Sequence, residues 1–534
     1  MNIPLFSIIV VVYLMVIGFL GYLGYAGTKN SRDFLIAGGK VHPYIMAISY
    51  GATFISTAAI VGFGGAAGVF GMGLLWLTFL NIALGIAVAF IFFGKKTRQM
   101  GQNLDAHTFP EFLGRRFNSR FIQVLGGIVI FLFMPIYTGV VLIGAARFIE
   151  STLNINFMVA LFVFSVIIAA YVIAGGLKGV MYTDALQGTI MFLGMLVLIL
   201  FTYISLGGIT SAHQGLSNIA DKVPDALIAG GHQGWTNMPS LGSPLWWNLV
   251  STIIMGVGIG VLAQPQLVVR FMTVKSSKEL NRAVLVGGIF ILFMTGTAFV
   301  VGSLSNAYFF QQTGQIALEA AGGNSDLIIP TYINLAMPSW FVYLFMLTLL
   351  AAAMSTISSQ FHTLGSAFSR DLIGIRSKET QDDEDVPVEK PGKGLLLTKI
   401  GVIIGIIMSV LLGYYLPTSI IARGTALFFG VCAATFLPMY ICALYWKRST
   451  KAGAISGMVV GVVTSVFWML FIHQQNSSMI GLSNLLFGKE TLASFPWSAV
   501  DPILVAFPAA FVVTIVVSLF TKQLPREVIE GSFK

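Results

Sequence analysis

Ser49-Tyr50-Gly51-Ala52-Thr53-Phe54-Ile55-Ser56-Thr57 sets small and hydroxyl-bearing residues in the middle of an apolar run, and Gly62, Gly64, Gly65 and Gly68 follow it. The run extends over 43–70, longer than the roughly 20 residues needed to cross a hydrocarbon core of about 30 Å. Glycines let a helix unwind. Carbonyls freed at that depth are tolerated only where an ion or a water-filled cavity satisfies them. The same small residues also suit close helix contacts. The stretch therefore reads either as an interrupted membrane helix built around a site or as a tightly packed one.

Twelve further apolar runs accompany it, near 5–25, 73–94, 121–149, 156–175, 182–207, 245–272, 283–307, 338–368, 396–416, 420–446, 452–473 and 500–521. The composition agrees: 56% of the residues are hydrophobic and only 10% charged, whereas soluble domains carry about 25% charged residues. An all-α integral membrane protein of 13 transmembrane helices is expected. The first run starts almost at Met1 with no basic n-region or cleavage site, so it reads as a retained helix. Cys432 and Cys442 share one run, ten positions apart. On a helix that is about 15 Å, beyond disulfide reach.

A net charge of +9 would suggest nucleic-acid binding in a soluble protein, but here the basic residues fall on one side. With the N-terminus outside and the C-terminus cytoplasmic, only Arg147, Lys222, Arg423 and Lys489 lie outside, which leaves 26 of the 30 Lys and Arg inside, as the positive-inside rule requires. No nucleic-acid partner is implied. The inside set includes Lys178 and Arg270. Asp105–Arg116 (DAHTFPEFLGRR) reads as a short cytoplasmic surface helix, 208–243 as a Gly-rich external excursion and 377–393 as a charged cytoplasmic linker. Asn476-Ser477-Ser478 is a glycosylation sequon in an outside loop.

Two more stretches break the rules for lipid-facing helices. In the ninth run, Ser355, Thr356, Ser358 and Ser359 crowd four hydroxyls into five residues, and Ser355, Ser358 and Ser359 share one helical face. Neutral hydroxyls and carbonyls form a hard-oxygen cage suited to a small monovalent cation, since a divalent ion would call for more carboxylates. Hydroxyl contacts between helices are the competing reading. Gly175 to Gly188 reads as a tight cytoplasmic connection into the sixth run, with Asp184 just inside it. A carboxylate there is either functional or a helix N-terminal charge favoured by the macrodipole.

These stretches together resemble the sodium:solute symporter family. The resemblance rests on three motifs in order: GG-L-x-x-V-x-x-T-D-x-x-Q over Gly175–Gln187, then QPQLVVRFM over Gln264–Met272, then A-x-M-S-T at Ala352–Thr356 followed by S-R-D-L at Ser369–Leu372. It implies a LeuT-type ten-helix core of two inverted five-helix repeats. Here that gives 1–42 as an extra helix and basic loop, 43–207 as the first repeat, 208–244 as an external loop, 245–446 as the second repeat, and 447–534 as two further helices and a tail.

The resemblance further implies a sodium site at the carbonyls of Ala52, Ile55 and Ala352 and the hydroxyls of Ser355 and Thr356. A second sodium position maps onto Asp184, Ser355, Ser358 and Ser359, for one or two ions per cycle. The solute site maps onto Phe54, Ser56, Thr57, Val257, Val261 and Gln264. Phe54, Val257 and Val261 depart from the proline-transporting pattern. Together with Leu142–Glu150 they look more like the pantothenate and monocarboxylate branch, so a small carboxylate is the expected solute and proline the alternative. Arg147 either attracts an organic anion or snorkels to the outer headgroups. The expectation is alternating-access import across the plasma membrane, or the inner membrane of a bacterium, with no obligate protein partner. A channel should show a polar stripe through several spans, and a sensor a soluble signalling domain. The six histidines are scattered and no Walker or G-x-S-x-G motif occurs, which speaks against an enzyme.

Overall fold

Local chemistry fixes where the first functional helix stops. The computed structural model describes residues 3–26, 35–37, 41–274, 276–374 and 393–533, so the expected linker at 377–393 lies almost wholly outside the described residues. After the peripheral helix α1 (Ile3–Ala26) comes α2 (Pro43–Phe54), opened by Pro43 at its first turn and by the His42 side chain, which accepts the Tyr44 N–H. Helix α2 ends at Ile55, which is extended (φ −85°, ψ 99°). Ser56 restarts the helix as a cap would, its Oγ accepting the Ala58 N–H at 3.1 Å. A π-helical turn over Ala58–Gly62 leads into α3 (Phe63–Phe70).

The glycines expected to unwind this helix do something else. All four lie in helical turns after the break. A Cβ on Gly65 would stand 2.0 Å from the Ser325 carbonyl oxygen, and one on Gly302 equally close to that of Gly64. Their hydrogens let backbones touch. Gly71 (φ 72°) then turns the chain into α4 (Leu75–Ile82), continued by a π-helical segment over Ala83–Gly94.

Helix α5 (Phe109–Arg116) is capped by Thr108, which accepts the Glu111 N–H. It is not a surface helix. Phe109 and Phe112 pack on Tyr440, and the buried Glu111 carboxylate takes Arg115 at 2.8 Å and Arg370 at 3.3 Å. Burial alone would raise the Glu111 carboxyl, but the two guanidinium groups outweigh it and hold it well below the usual range.

Helix α6 (Arg120–Leu153) is followed by α7 (Phe157–Ser205). The backbone is helical through Gly175 and Gly176, so the tight connection expected there does not interrupt α7. The apolar stretches Phe157–Ala169 and Gly179–Ser205 flank those glycines. Asp184 lies deep within a helix, and the N-terminal-charge reading fails.

The second interruption follows α8 (Gly256–Gly260). A short 3-10 turn, Val261–Ala263, gives way to extended Gln264 (φ −71°, ψ 116°), and Pro265 opens α9 (Pro265–Phe271). Proline drives the residue before it out of the helical region. Then come α10 (Ser277–Thr313), α11 (Ser339–Ser366), α12 (Lys393–Tyr415), α13 (Ile421–Tyr445), α14 (Lys451–Phe471) and α15 (Ile503–Phe520). Among the described residues, eleven helical stretches are long and apolar enough to cross a membrane. The second and third expected runs share one of them, Ala58–Asn103, and the fifth is the shorter Phe157–Ala169. Helices α11 and α13 form the centre, with 78% and 89% of their most apolar stretches buried. Helices α1, α12 and α15 form the lipid-facing rim, at 22%, 28% and 28%. Both cysteines are free and buried. Asn476 of the sequon is also buried.

Candidate ion and solute sites

The break after Phe54 sets the last carbonyls of α2 against α11. Ser355 Oγ donates to the Ala52 carbonyl at 2.8 Å and to the Ala352 carbonyl at 3.1 Å. Thr356 Oγ1 donates to the Thr53 carbonyl at 2.9 Å. Three of the five residues expected around a first sodium, Ala52, Ala352 and Ser355, thus meet at one point. Thr356 lies beside them, on the neighbouring carbonyl, and Ile55 forms the extended step that follows. All five are buried. This set of carbonyl and hydroxyl oxygens, without a carboxylate, fits a hard monovalent cation.

The residues expected around a second ion divide. Ser355 is spent on Ala52, and Ser358 Oγ donates within its own helix to the Ser355 carbonyl at 3.1 Å. Asp184 and Ser359 do converge, but on a guanidinium. Arg270 Nη2 donates to Asp184 Oδ2 at 3.0 Å, to Ser359 Oγ at 2.6 Å and to Thr53 Oγ1. Its Nε donates to Ser49 Oγ at 3.0 Å and its Nη1 to the Gln266 carbonyl at 2.7 Å. Ser49 Oγ in turn donates to Asp184 Oδ2 at 2.6 Å. Arg270 is therefore a fully buried network residue and not the inside loop charge it was counted as.

Beyond the break lies a small pocket lined by Phe54, Ile55, Ser56, Leu77, Asn81, Tyr137, Val257, Thr295, Thr425 and Phe429, among others. Phe54, Ser56 and Val257 of the expected solute residues line it, and three do not. Thr57 Oγ1 donates to the Val141 carbonyl at 2.6 Å, Val261 faces Gly85, and Gln264 Nε2 donates back to the Gly260 carbonyl at 3.2 Å. Sequence reasoning missed Leu77, Asn81, Tyr137, Thr295, Thr425 and Phe429 among the lining residues, and Asn81 stands out. It is 2% exposed, and its Oδ1 has no partner, although an amide inside the run 73–94 was itself a signal. Among the described residues, no Lys, Arg, Asp or Glu lines the cavity. Arg147 is tied to Glu150 at 2.8 Å and lies over the Phe157 ring, so it takes no part there.

The model of the sodium:solute symporter family matches residues 34–461. The chain belongs to that family. As a sodium:solute symporter it is a multi-pass membrane protein that couples solute movement to sodium. Its relatives include a sodium/pantothenate symporter of Haemophilus influenzae, 26% identical over 86% of this chain and 90% of that one. A sodium/proline symporter 2 of Staphylococcus saprophyticus is 28% identical over 93% and 89%. A solved Na+-coupled sialic acid symporter, described as substrate-bound and outward-open, superposes with a TM-score of 0.72 at 20% identity and covers 97% of this chain and 99% of that one. This symporter accordingly has the LeuT-type fold expected from its motifs.

Proposed function

We propose that the chain imports a small organic carboxylate together with sodium, by alternating access, across the plasma membrane. The N-terminus is outside and the C-terminus cytoplasmic, and no protein partner is required. The observation that carries the reading is the 2.8 Å contact between Ser355 Oγ and the Ala52 carbonyl, two residues from Phe54, where the cavity begins. A cation bound at Ala52, Ile55, Ala352, Ser355 and Thr356 fixes the α2 break, and the break forms one wall of the cavity. Ion and solute then share a coupling free energy that acts equally in both directions.

The solute meets an apolar wall at Phe54, Leu77, Val257 and Phe429 and hydrogen-bonding groups at Ser56, Asn81, Thr295 and Thr425. With no basic side chain among the described lining residues, a carboxylate there is balanced by the neighbouring cation. The sodium/pantothenate relative supports this reading. The sodium/proline relatives support an amino acid as the second reading, but no acidic side chain among the described lining residues meets an ammonium group. The repeats at 43–207 and 245–446 supply the moving halves, and the matching breaks at Ile55 and Gln264 support that division.

Counterflow in proteoliposomes with pantothenate, short monocarboxylates and proline tests the assignment. Exchange of a carboxylate without an ammonium group is expected. Exchange of proline alone would transfer the conclusion to the second reading, and exchange of none would refute both.

A further inference from the structure

We propose that Arg270 is the resident cation of the pocket formed by Ser49, Thr53, Asp184 and Ser359, so that protein fills the second cation position and one sodium ion moves per solute. This rests on the symporter reading above.

The pocket is built around the guanidinium. Arg270 and Asp184 are both fully buried. The carboxylate oxygen Asp184 Oδ2 lies 3.0 Å from Nη2, and the same nitrogen reaches Ser359 Oγ at 2.6 Å. The two side chains that converge where a second sodium would bind thus already hold a positive charge. A guanidinium stays charged at any physiological pH. Among the described residues, Asp184 is the only carboxylate in hydrogen-bond contact with it. A sodium ion on Oδ2 would put two positive charges against one negative charge in a dry interior.

Displacing the arginine first would break its bonds to Ser49, Thr53, Asp184, Gln266 and Ser359 and leave a buried cation unpaired, the costlier half of a broken buried pair. Ser355 already serves the first site at the Ala52 carbonyl, and Ser358 Oγ is held on the Ser355 carbonyl within its own helix. Among the side chains of Ser49, Thr53, Asp184 and Ser359, Asp184 Oδ1 is the oxygen without a hydrogen-bond partner, and the other three side chains are held in the Arg270 network.

The pocket also touches the first ion site. The Thr53 carbonyl accepts Thr356 Oγ1 while the Thr53 hydroxyl sits in the Arg270 network. Ser359 Oγ donates to the Ser355 carbonyl one turn away, at 3.1 Å. The tethered cation therefore braces the same α2–α11 contact that sodium braces from the other side.

The test is the ratio of radiolabelled sodium to radiolabelled solute entering proteoliposomes that hold the full chain, together with the Hill coefficient for sodium. A ratio of one and a hyperbolic sodium dependence are expected. A ratio of two overturns the proposal and leaves the symporter reading standing, whereas uptake indifferent to sodium overturns that reading instead. In Arg270→Gln the freed Asp184 carboxylate opens the pocket, so the sodium dependence should become sigmoid, with a Hill coefficient approaching two. Adding Asp184→Asn should return it to one. A folded Arg270→Gln protein with an unchanged coefficient would contradict the resident-cation role, and the wild-type ratio decides the matter if that variant does not fold.

Discussion

Replacing Ser355 by alanine removes the one side chain that bridges the broken helix and α11 at both the Ala52 and the Ala352 carbonyl, at 2.8 and 3.1 Å. Two effects follow. Without ion, the lost hydroxyl costs a net hydrogen bond of about 1 kcal/mol, so the variant melts somewhat earlier in choline and in sodium alike. With ion, it costs an oxygen facing a full charge, worth about 1.5–3 kcal/mol. At about 1.4 kcal/mol per tenfold, the sodium concentration giving half-maximal solute uptake should rise roughly 10- to 100-fold. The control is Ser358→Ala. That hydroxyl is equally buried but serves only its own helix, through the Ser355 carbonyl at 3.1 Å, so the half-saturating sodium should move by less than about twofold. The assay is tracer uptake against sodium at constant ionic strength, paired with melting curves in sodium and in choline. Equal effects of the two substitutions, or a Ser355→Ala protein within twofold of the wild type, would refute the placement of the ion.

Three further outcomes are expected. Asn81→Ala should raise the solute KM about tenfold, the value of one hydrogen bond near 1.4 kcal/mol, without lowering the melting temperature, because Oδ1 has no protein partner to lose; a fall in Tm with KM unchanged would make Asn81 structural. Gly65→Ala should destabilise the fold by about 1–3 kcal/mol or more, read as a lower Tm in detergent, because its Cβ would meet the Ser325 carbonyl at 2.0 Å. Burial pushes the Asp326 carboxyl, in the loop before α11, up to about 6, although backbone N–H donors at Ile420 and Ile421 pull the other way. A folded pKa above the unfolded value means that its contribution is present below about pH 4 and lost as pH rises through about 6, at most about 3 kcal/mol. Tm should therefore fall across that window, and Asp326→Asn should flatten the fall.

Spans were legible because twenty consecutive apolar residues have few other uses. Finer features depended on partners remote in sequence. The first interruption lay in the right stretch, but it was read from the wrong residues. Gly64 and Gly65 resemble unwinding signals, and only the nearness of Gly302 and Ser325 shows that they serve close approach. The second interruption was written in Pro265. Arg270 looked like a loop charge because its carboxylate, Asp184, is 86 positions away. The charged run around Glu111 suggested a solvated helix, while Phe109 and Phe112 bury it. Ser355 was legible as a candidate because four hydroxyls in five residues have no purely helical reason to exist. The cavity was legible only in part, since it gathers side chains from several separate helices.

Sodium held at Ala52, Ile55, Ala352, Ser355 and Thr356 is proposed to drive solute movement. The most direct test is accumulation of the solute identified by counterflow, in proteoliposomes with an inward sodium gradient and, in parallel, with choline in place of sodium. Uphill accumulation is expected with sodium and none with choline, and Ser355→Ala should lose the accumulation at sodium concentrations that saturate the wild type. Equal accumulation with choline, or accumulation insensitive to Ser355→Ala, would contradict it.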